Sequence, residues 1–295
     1  MIAQVNRRYE LIIGDVRTGT GLEITDLHVS FDITKSVDNK TTPSSATIEI
    51  YNLSDESLKR LDTDYPAAVF SAGFKELGIK RLFAGEVKDF TTRKSGTDRI
   101  TQIRMGAAYK ELNHQTLNQL TAPGRSVQDV LEEIRKAIPN VSRGVYNGTN
   151  LSSQLIYGYP LMGTPKDMLN ELSRKYALNW NIDDDVLYVH SSDRGFTENF
   201  NQAVVIAPDS GLIEIPYRAV SDNRRSEKDK AKSQAVQWTM LLNPTLVPGS
   251  IVKLEDTDLD GWYRLDEVRH SGGWRDNPWY TECKASAIVK VRKDG

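Results

Sequence analysis

The sequence predicts a mainly β chain with an α+β insert, in which two β-rich regions flank a small α/β middle unit. Three observations predict this. Apolar residues alternate with polar ones through the first and last thirds, the period of a half-buried strand. In the middle third the period changes to that of an amphipathic helix. Turn residues cut the β regions into short strands. At 295 residues the chain has room for two or three domains. The period changes divide it at 1–108, 109–200 and 201–295.

In the first region, "RRYELIIGDV" and "LEITDLHVSFDITKS" alternate, with Leu27, Val29, Phe31 and Ile33 sharing one parity. "SSATIEIYNL" repeats the pattern with Ala46, Ile48 and Ile50. Ser54 then stands as an N-cap, followed by Asp55 and Glu56 where acids favour a helix start. Leu58 and Leu61 face one side of this short helix. "AAVFSAGF" and "RLFAGEVKDFTTRKSGTDRITQIRMGAA" return to β, and "KSGTD" is the turn of a long hairpin.

Two helices follow. Ser126 with Asp129, and Thr164 with Asp167, have the spacing of a capping box. Pro165 takes the first helical position, where its missing N–H costs nothing. Val127, Val130, Leu131, Ile134 and Ile138 form one apolar stripe; Leu169, Leu172 and Tyr176 form the other. Asp183-Asp184-Asp185 predicts a solvated hairpin turn between two short strands.

The last region holds "AVVIAP", "GLIEIPYRAV", "QAVQWTMLLN", "SIVKLE", "GWYRLDEVRH" and "PWYTECKASAIVKV" as strands. Parity with Trp279, Thr281 and Ala285 points Cys283 inward. "SDNRRSEKDKAKS" is charged and poor in apolar residues, and predicts an exposed loop.

Composition narrows the function. Lys+Arg number 38 against 40 Asp+Glu, a balance unlike that of a general nucleic-acid binder, whose affinity rests on neutralising phosphates. A lone cysteine forms no internal disulfide and supplies no cysteine-based zinc site. The first residues lack the apolar core of a signal peptide, and no apolar run is long enough for a membrane span. The expected setting is a reducing compartment.

No residue is assigned a catalytic, cofactor-binding or metal role, and no cofactor is expected. His28, His114, His190 and His270 show no zinc-binding spacing, and neither a nucleophile elbow nor a phosphate loop is present. Asp256, Asp258, Asp260, Gly261 and Glu267 match the calcium-loop pattern. Their flanks are strands rather than helices, however, and Arg264 puts a cation at the ninth position. An acidic hairpin tip is the simpler account; an adventitious calcium ion in a β loop stays open. Trp262, Trp274 and Trp279 cluster as core or interface residues rather than a sugar platform.

The C-terminal string "LLNPTLVPGSIVKLEDTDLDGWYRLDEVRHSGGWRDNPWYTECKA" resembles the hub proteins of contractile phage-tail baseplates and the hub portion of VgrG spikes. The matching positions are Leu242, Pro244, Leu246, Pro248, Gly249, Gly261, Tyr263, Val268, His270 and Trp279–Thr281. "GTPKDMLNELSRKYALNWNIDDDVLYVH" is similar to the family's middle unit, and "ATIEIYNLSDESLKRL" to its first-domain strand–helix segment. The resemblance implies two tube-like β-barrel domains per chain and a homotrimer presenting six similar modules. Such a ring joins a sixfold tail-tube ring to a threefold spike and meets other baseplate proteins. DNA passes through it as cargo, with no small-molecule substrate. The chain stops at Gly295 without an OB domain or needle, so the spike is expected to be a separate polypeptide. The expected location is the virion tail, with assembly in the host bacterial cytoplasm. The alternatives are a tail-associated peptidoglycan hydrolase and another tube or adaptor subunit.

Overall fold

A computed structural model describes residues 6–15, 20–39, 43–62, 67–191, 203–220, 234–255 and 258–288. The first region contains β1 (Arg7–Asp15), β2 (Thr20–Ile24), β3 (Val29–Ser36), β4 (Ser45–Tyr51), α1 (Asp55–Leu61), β5 (Ala67–Phe74), β6 (Gly78–Ser95) and β7 (Asp98–Gly106). The middle contains α2 (Tyr109–His114), β8 (Leu117–Leu120), α3 (Val127–Lys136), β9 (Ser142–Asn147), β10 (Pro160–Gly163), α4 (Pro165–Tyr176), β11 (Leu178–Asp183) and β12 (Val186–Ser191). The last region contains β13 (Val204–Ile206), β14 (Tyr217–Val220), β15 (Gln234–Leu241), β16 (Ile251–Leu254), β17 (Gly261–Gly273) and β18 (Trp279–Ala287).

The chain is mainly β, as its alternation predicts. The helix starts form as their caps require. Ser54 Oγ accepts from Ser57 N at 3.1 Å. Ser126 and Asp129 complete both halves of a capping box. Thr164 Oγ1 accepts from Asp167 N at 3.2 Å and donates to Asp167 Oδ2 at 2.7 Å.

The two β regions share a single 13-stranded sheet, ordered β14-β15-β18-β17-β3-β4-β7-β6-β5-β1-β2, with β16 on β17 and β13 on β16. Barrel closure is not detected among the described residues. β3 has one edge on β4 and the other on β17, which leaves none for β2. Among the described residues the two β regions are linked halves of one sheet.

These halves repeat one topology. The orders β3-β4-β7-β6-β5 and β14-β15-β18-β17-β16 have the same sequence connections, and every pair in both is antiparallel. α1 links β4 to β5, while a turn segment links β15 to β16. Each half carries a bulge at the same place, and the first has another at Leu82 of β6 opposite β5. Lys88 is the extra residue of β6 opposite β7, and Asp266 that of β17 opposite β18. Such an extra residue bends its strand and can end a pairing. In β17 it marks a change of partner: Ile251–Leu254 lie against Gly261–Arg264, and Ser30–Ser36 against Glu267–Gly273.

This β3·β17 joint is packed on its inner face. Phe31 and Trp279 meet edge to face with centroids 5.1 Å apart. Leu242 and Trp279, from the last third of the chain, are buried in the core of the first. Gly272 makes the fit possible. A Cβ there would lie 2.7 Å from Trp279 Cε3 and 2.9 Å from Phe31 Cζ.

The middle unit has its own core, built from both predicted stripes with Trp180, Ile182, Leu187 and Val189. β9 runs parallel to β12, which pairs antiparallel with β11; β8 and β10 form a separate ribbon. The acidic turn after β11 does more than face solvent. Lys35 is buried, and its Nζ lies 2.6 Å from Asp183 Oδ1. Arg81 meets Asp184 at 2.8 Å, and Asn39 N donates to Trp180 O at 2.8 Å.

Gly272→Ala should destabilise the protein by about 2 kcal/mol, the order expected for overpacking a filled core. Urea unfolding read by tryptophan fluorescence checks this, with an unchanged midpoint counting against the close fit.

Candidate functional site: the polar face of the shared sheet

Opposed residues of an antiparallel pair point to the same side of a sheet, so the register defines two faces. One face is apolar and filled by Val29, Phe31, Ile33, Ile48, Ile50, Ile103, Trp238, Met240, Val268 and Cys283. The other is polar and crosses the joint without a break. Arg269 on β17 donates to Asp32 on β3 at 2.9 and 2.5 Å and reaches Glu282 on β18 at 3.3 Å. Lys284 pairs with Glu267 at 2.5 Å. Farther along, Glu49 accepts from Arg93 and Gln102, each at 3.1 Å, and Arg104 pairs with Asp89 at 2.7 Å.

Exposed pairs of this kind contribute little individually, about 0–1 kcal/mol each. Their collective effect is on surface character. Asp32, Glu49, Asp89, Glu267 and Glu282 stand against Arg93, Arg104, Arg269 and Lys284, so the charge is nearly balanced. A face of this kind has hydrated groups but no basic stripe on which a polyanion would be held.

The residues singled out by sequence are scattered. Cys283 is buried, and burial pushes its thiol far above the usual range, so little reactive thiolate forms. His270 is buried with Nδ1 2.9 Å from Thr281 Oγ1. Burial, and then the nearby Lys35 charge, push its pKa down to about 3. His190 is likewise pushed down to about 3 by burial and then by Arg264. His28 Nε2 lies 2.8 Å from Asp276 Oδ2, and His114 ends α2. The acidic stretch has strands on both sides, β16 and β17, as expected; Asp256 lies outside the described residues. So does the charged 221–233 segment. Among the described residues no group of three His, Cys, Asp or Glu side chains could hold a metal ion.

Three surface hollows among the described residues each have a single acidic residue in their lining. Asp98 lies in the first, beside α1; Asp276 in the second, beside Trp274. In the third, Asp129 is held by the Ser126 backbone and hydroxyl, which lower its pKa. None offers the facing carboxylate pair used for glycoside hydrolysis. Near the Lys88 bulge, burial raises the pKa of Glu86, which accepts from Lys110 N at 2.7 Å. Burial, then Lys166, lower that of Lys88, whose ammonium lies 5.0 Å from the Tyr109 ring centre. These groups tie α2 to β6.

Sequence reasoning did not find the polar face. Its signal was the second parity of strands whose first parity defined the core: Asp32 and Thr34 between Phe31 and Lys35, or Glu282 and Lys284 around Cys283.

A repeated antiparallel module and a shared sheet with one ordered charged face characterise this fold, which solved phage-tail structures share. Solved structures with this fold include the 43 kDa tail protein of prophage MuSo2 from Shewanella oneidensis. The TM-score to it is 0.65 at 10% identity, covering 96% of this chain and 98% of that one. A tail protein from Neisseria meningitidis MC58 gives 0.64 at 14% identity, covering 95% and 96%. The E. coli c3393 protein, a type VI secretion component with structural similarity to the T4 tail proteins gp27 and gp5, gives 0.62 at 14% identity, covering 89% and 74%. No family model matches the sequence, and no curated protein matches it. The chain thus has the tail and baseplate fold that its C-terminal string resembles.

The two buried histidines set a pH response. With folded pKa values near 3 and an unfolded value near 6.5, the unfolded state binds more protons between these limits. Stability therefore falls as pH drops from about 6.5 toward 3, by up to about 1.4 kcal/mol per pH unit for each histidine. His270→Asn should flatten the dependence of the urea midpoint over this window; an unchanged slope would count against a neutral buried His270.

Proposed function

We propose that this chain is the structural hub of a contractile phage-tail baseplate, or of a phage-derived particle. Three copies form a ring that joins the sixfold tail tube to a threefold central spike. The observation that carries this is the internal duplication. Two modules of one topology in each chain let three copies present six similar faces to a tube of six. The separate core of the middle unit supports a domain at 109–200, a spacer clasped at Lys35–Asn39 between β domains at 1–108 and 201–295.

In this reading the polar sheet face lines a central channel. Its balanced charge lets DNA pass as cargo without being held. The partners are two further copies of the chain, a tail-tube ring, a separate spike protein and other baseplate proteins. The location is the virion tail, after assembly in the host bacterial cytoplasm. The role is geometric rather than enzymatic.

Sedimentation of the purified chain, with averaged electron micrographs, tests the reading. The expected particle contains three 33.2 kDa chains and has a central opening. A chain that stays monomeric at every concentration rejects the ring. A six-copy ring would instead favour a tube or adaptor subunit, and clearing of a peptidoglycan zymogram by pure protein would favour the hydrolase.

A further inference from the structure

The two modules differ in one respect. In the second, Glu267–Gly273 of β17 has β18 on one flank and β3 on the other. The bulges at Lys88 and Asp266 align this stretch with Asp89–Ser95 of β6. There, β7 covers one flank, and no described strand covers the other. The second module's counterpart of β3 is β14, since each is the outermost strand of its five. Among the described residues the far edge of β14 has no partner strand. Each chain therefore contains one completed joint and the two separate halves of another.

We propose that β14 of one copy pairs antiparallel with Asp89–Ser95 of β6 in the next, repeating between copies the joint that β3 and β17 make within one. This rests on the ring reading above, which supplies the number of copies. The occupant of the open β6 edge is thus a second copy of this chain. An unpaired edge is a template for strand addition, and the internal joint shows which strand of this fold fits it. Exposed apolar surface supports the same place: Ile215 and Tyr217, just before and within β14, are 81% and 50% exposed.

The internal register fixes the contacts. Val268 opposes Lys35, and His270 opposes Ile33. Phe90 and Thr92 occupy the places of Val268 and His270 opposite Ile103 and Thr101, as those two do opposite Cys283 and Thr281. Arg218 opposes Val236 as Ile33 opposes Ala46. Between copies, Arg218 then faces Thr92 and Tyr217 faces Arg93. Tyr217 and Arg93 both belong to the polar face, which continues from copy to copy. The two surfaces are unlike, so the contact is head to tail and closes only as a ring.

Disulfide trapping tests this on the full chain. Tyr217→Cys and Arg93→Cys chains, mixed and oxidised, should give a two-chain product lost on reduction. The double variant should give a covalent three-chain ring. Opposed strands place Cα atoms about 4.5–5.5 Å apart, within disulfide reach. Six strands separate β14 from β6 within a chain, so the bond must be intermolecular. Ser152→Cys in place of Tyr217→Cys should give no product. Hydrogen exchange on the unmodified chain is the second readout: amides in 89–95 and 217–220 should gain protection together as copies assemble. Trimers by sedimentation with neither cross-link nor joint protection overturn this contact and leave the ring reading standing. A monomer at all concentrations overturns both. A covalent six-chain ring supports the contact and overturns the threefold count.

Discussion

The architecture depends on the backbone pairing between β3 and β17. Seven residues of each strand lie opposite one another, Ser30–Ser36 against Glu267–Gly273. Without it, both strands would expose a row of unsatisfied N–H and C=O groups, a cost and an invitation to unwanted pairing. With it, two modules far apart in sequence become one sheet. Closing so long a stretch of chain is less costly than its length suggests, because loop entropy grows only with the logarithm of length. Side chains then secure both sides of the seam: Phe31 against Trp279 on the dry side, and Arg269 between Asp32 and Glu282 on the wet one.

The same seam anchors the middle unit. β3 ends at Ser36, and within the next three residues the backbone touches both other parts: Val37 N donates to Asp266 O and Asn39 N to Trp180 O. Lys35 carries its charge into the core and meets Asp183 there. A buried cation is tolerable only when paired, and pairing constrains position more than it adds stability. An Asp183 carboxylate at this place fixes how the β11–β12 hairpin sits on the sheet. Arg81 with Asp184 repeats the constraint nearer solvent. An acidic run that sequence alone assigns to a solvated turn thus becomes a clasp, because its partners lie some 100 to 150 residues upstream in unrelated strands.

Local signals were legible in sequence where local physics decides. The caps at Ser54, Ser126 and Thr164, the two helix stripes, the hairpin turns at Gly96 and Asp184, and the inward parity of Cys283 all follow from neighbours a few residues away. The short strands β8, β9 and β10 and the short helix α2 were not predicted, because "LNQL", "SRGVYN", "PLMG" and "YKELNH" carry no clear apolar alternation or stripe. "GLIEIPYRAV" was expected to be one strand, yet only Tyr217–Val220 pairs regularly; Pro216 lacks the N–H a continuous ladder needs. The duplication was hinted at by matching lengths but hidden in composition. Ile48 corresponds to Trp238, Ile50 to Met240 and Ile103 to Cys283, so burial was preserved while identity was not.

That substitution pattern bears on what the fold is for. Strand order, strand direction and the bulge on the long central strand are kept in both modules. These are the features that set where edges lie and which way they face. Core side chains are free to change because many apolar sets fill the same volume. Here the matched features are backbone edges, and the polar face across them is wide and nearly neutral in charge. The energetic weight lies in making edges meet at one register, since a slip of one residue would turn Asp32 and Arg269 into the core and Phe31 out of it. In such a fold the side chains that matter most are those which prevent the register from shifting.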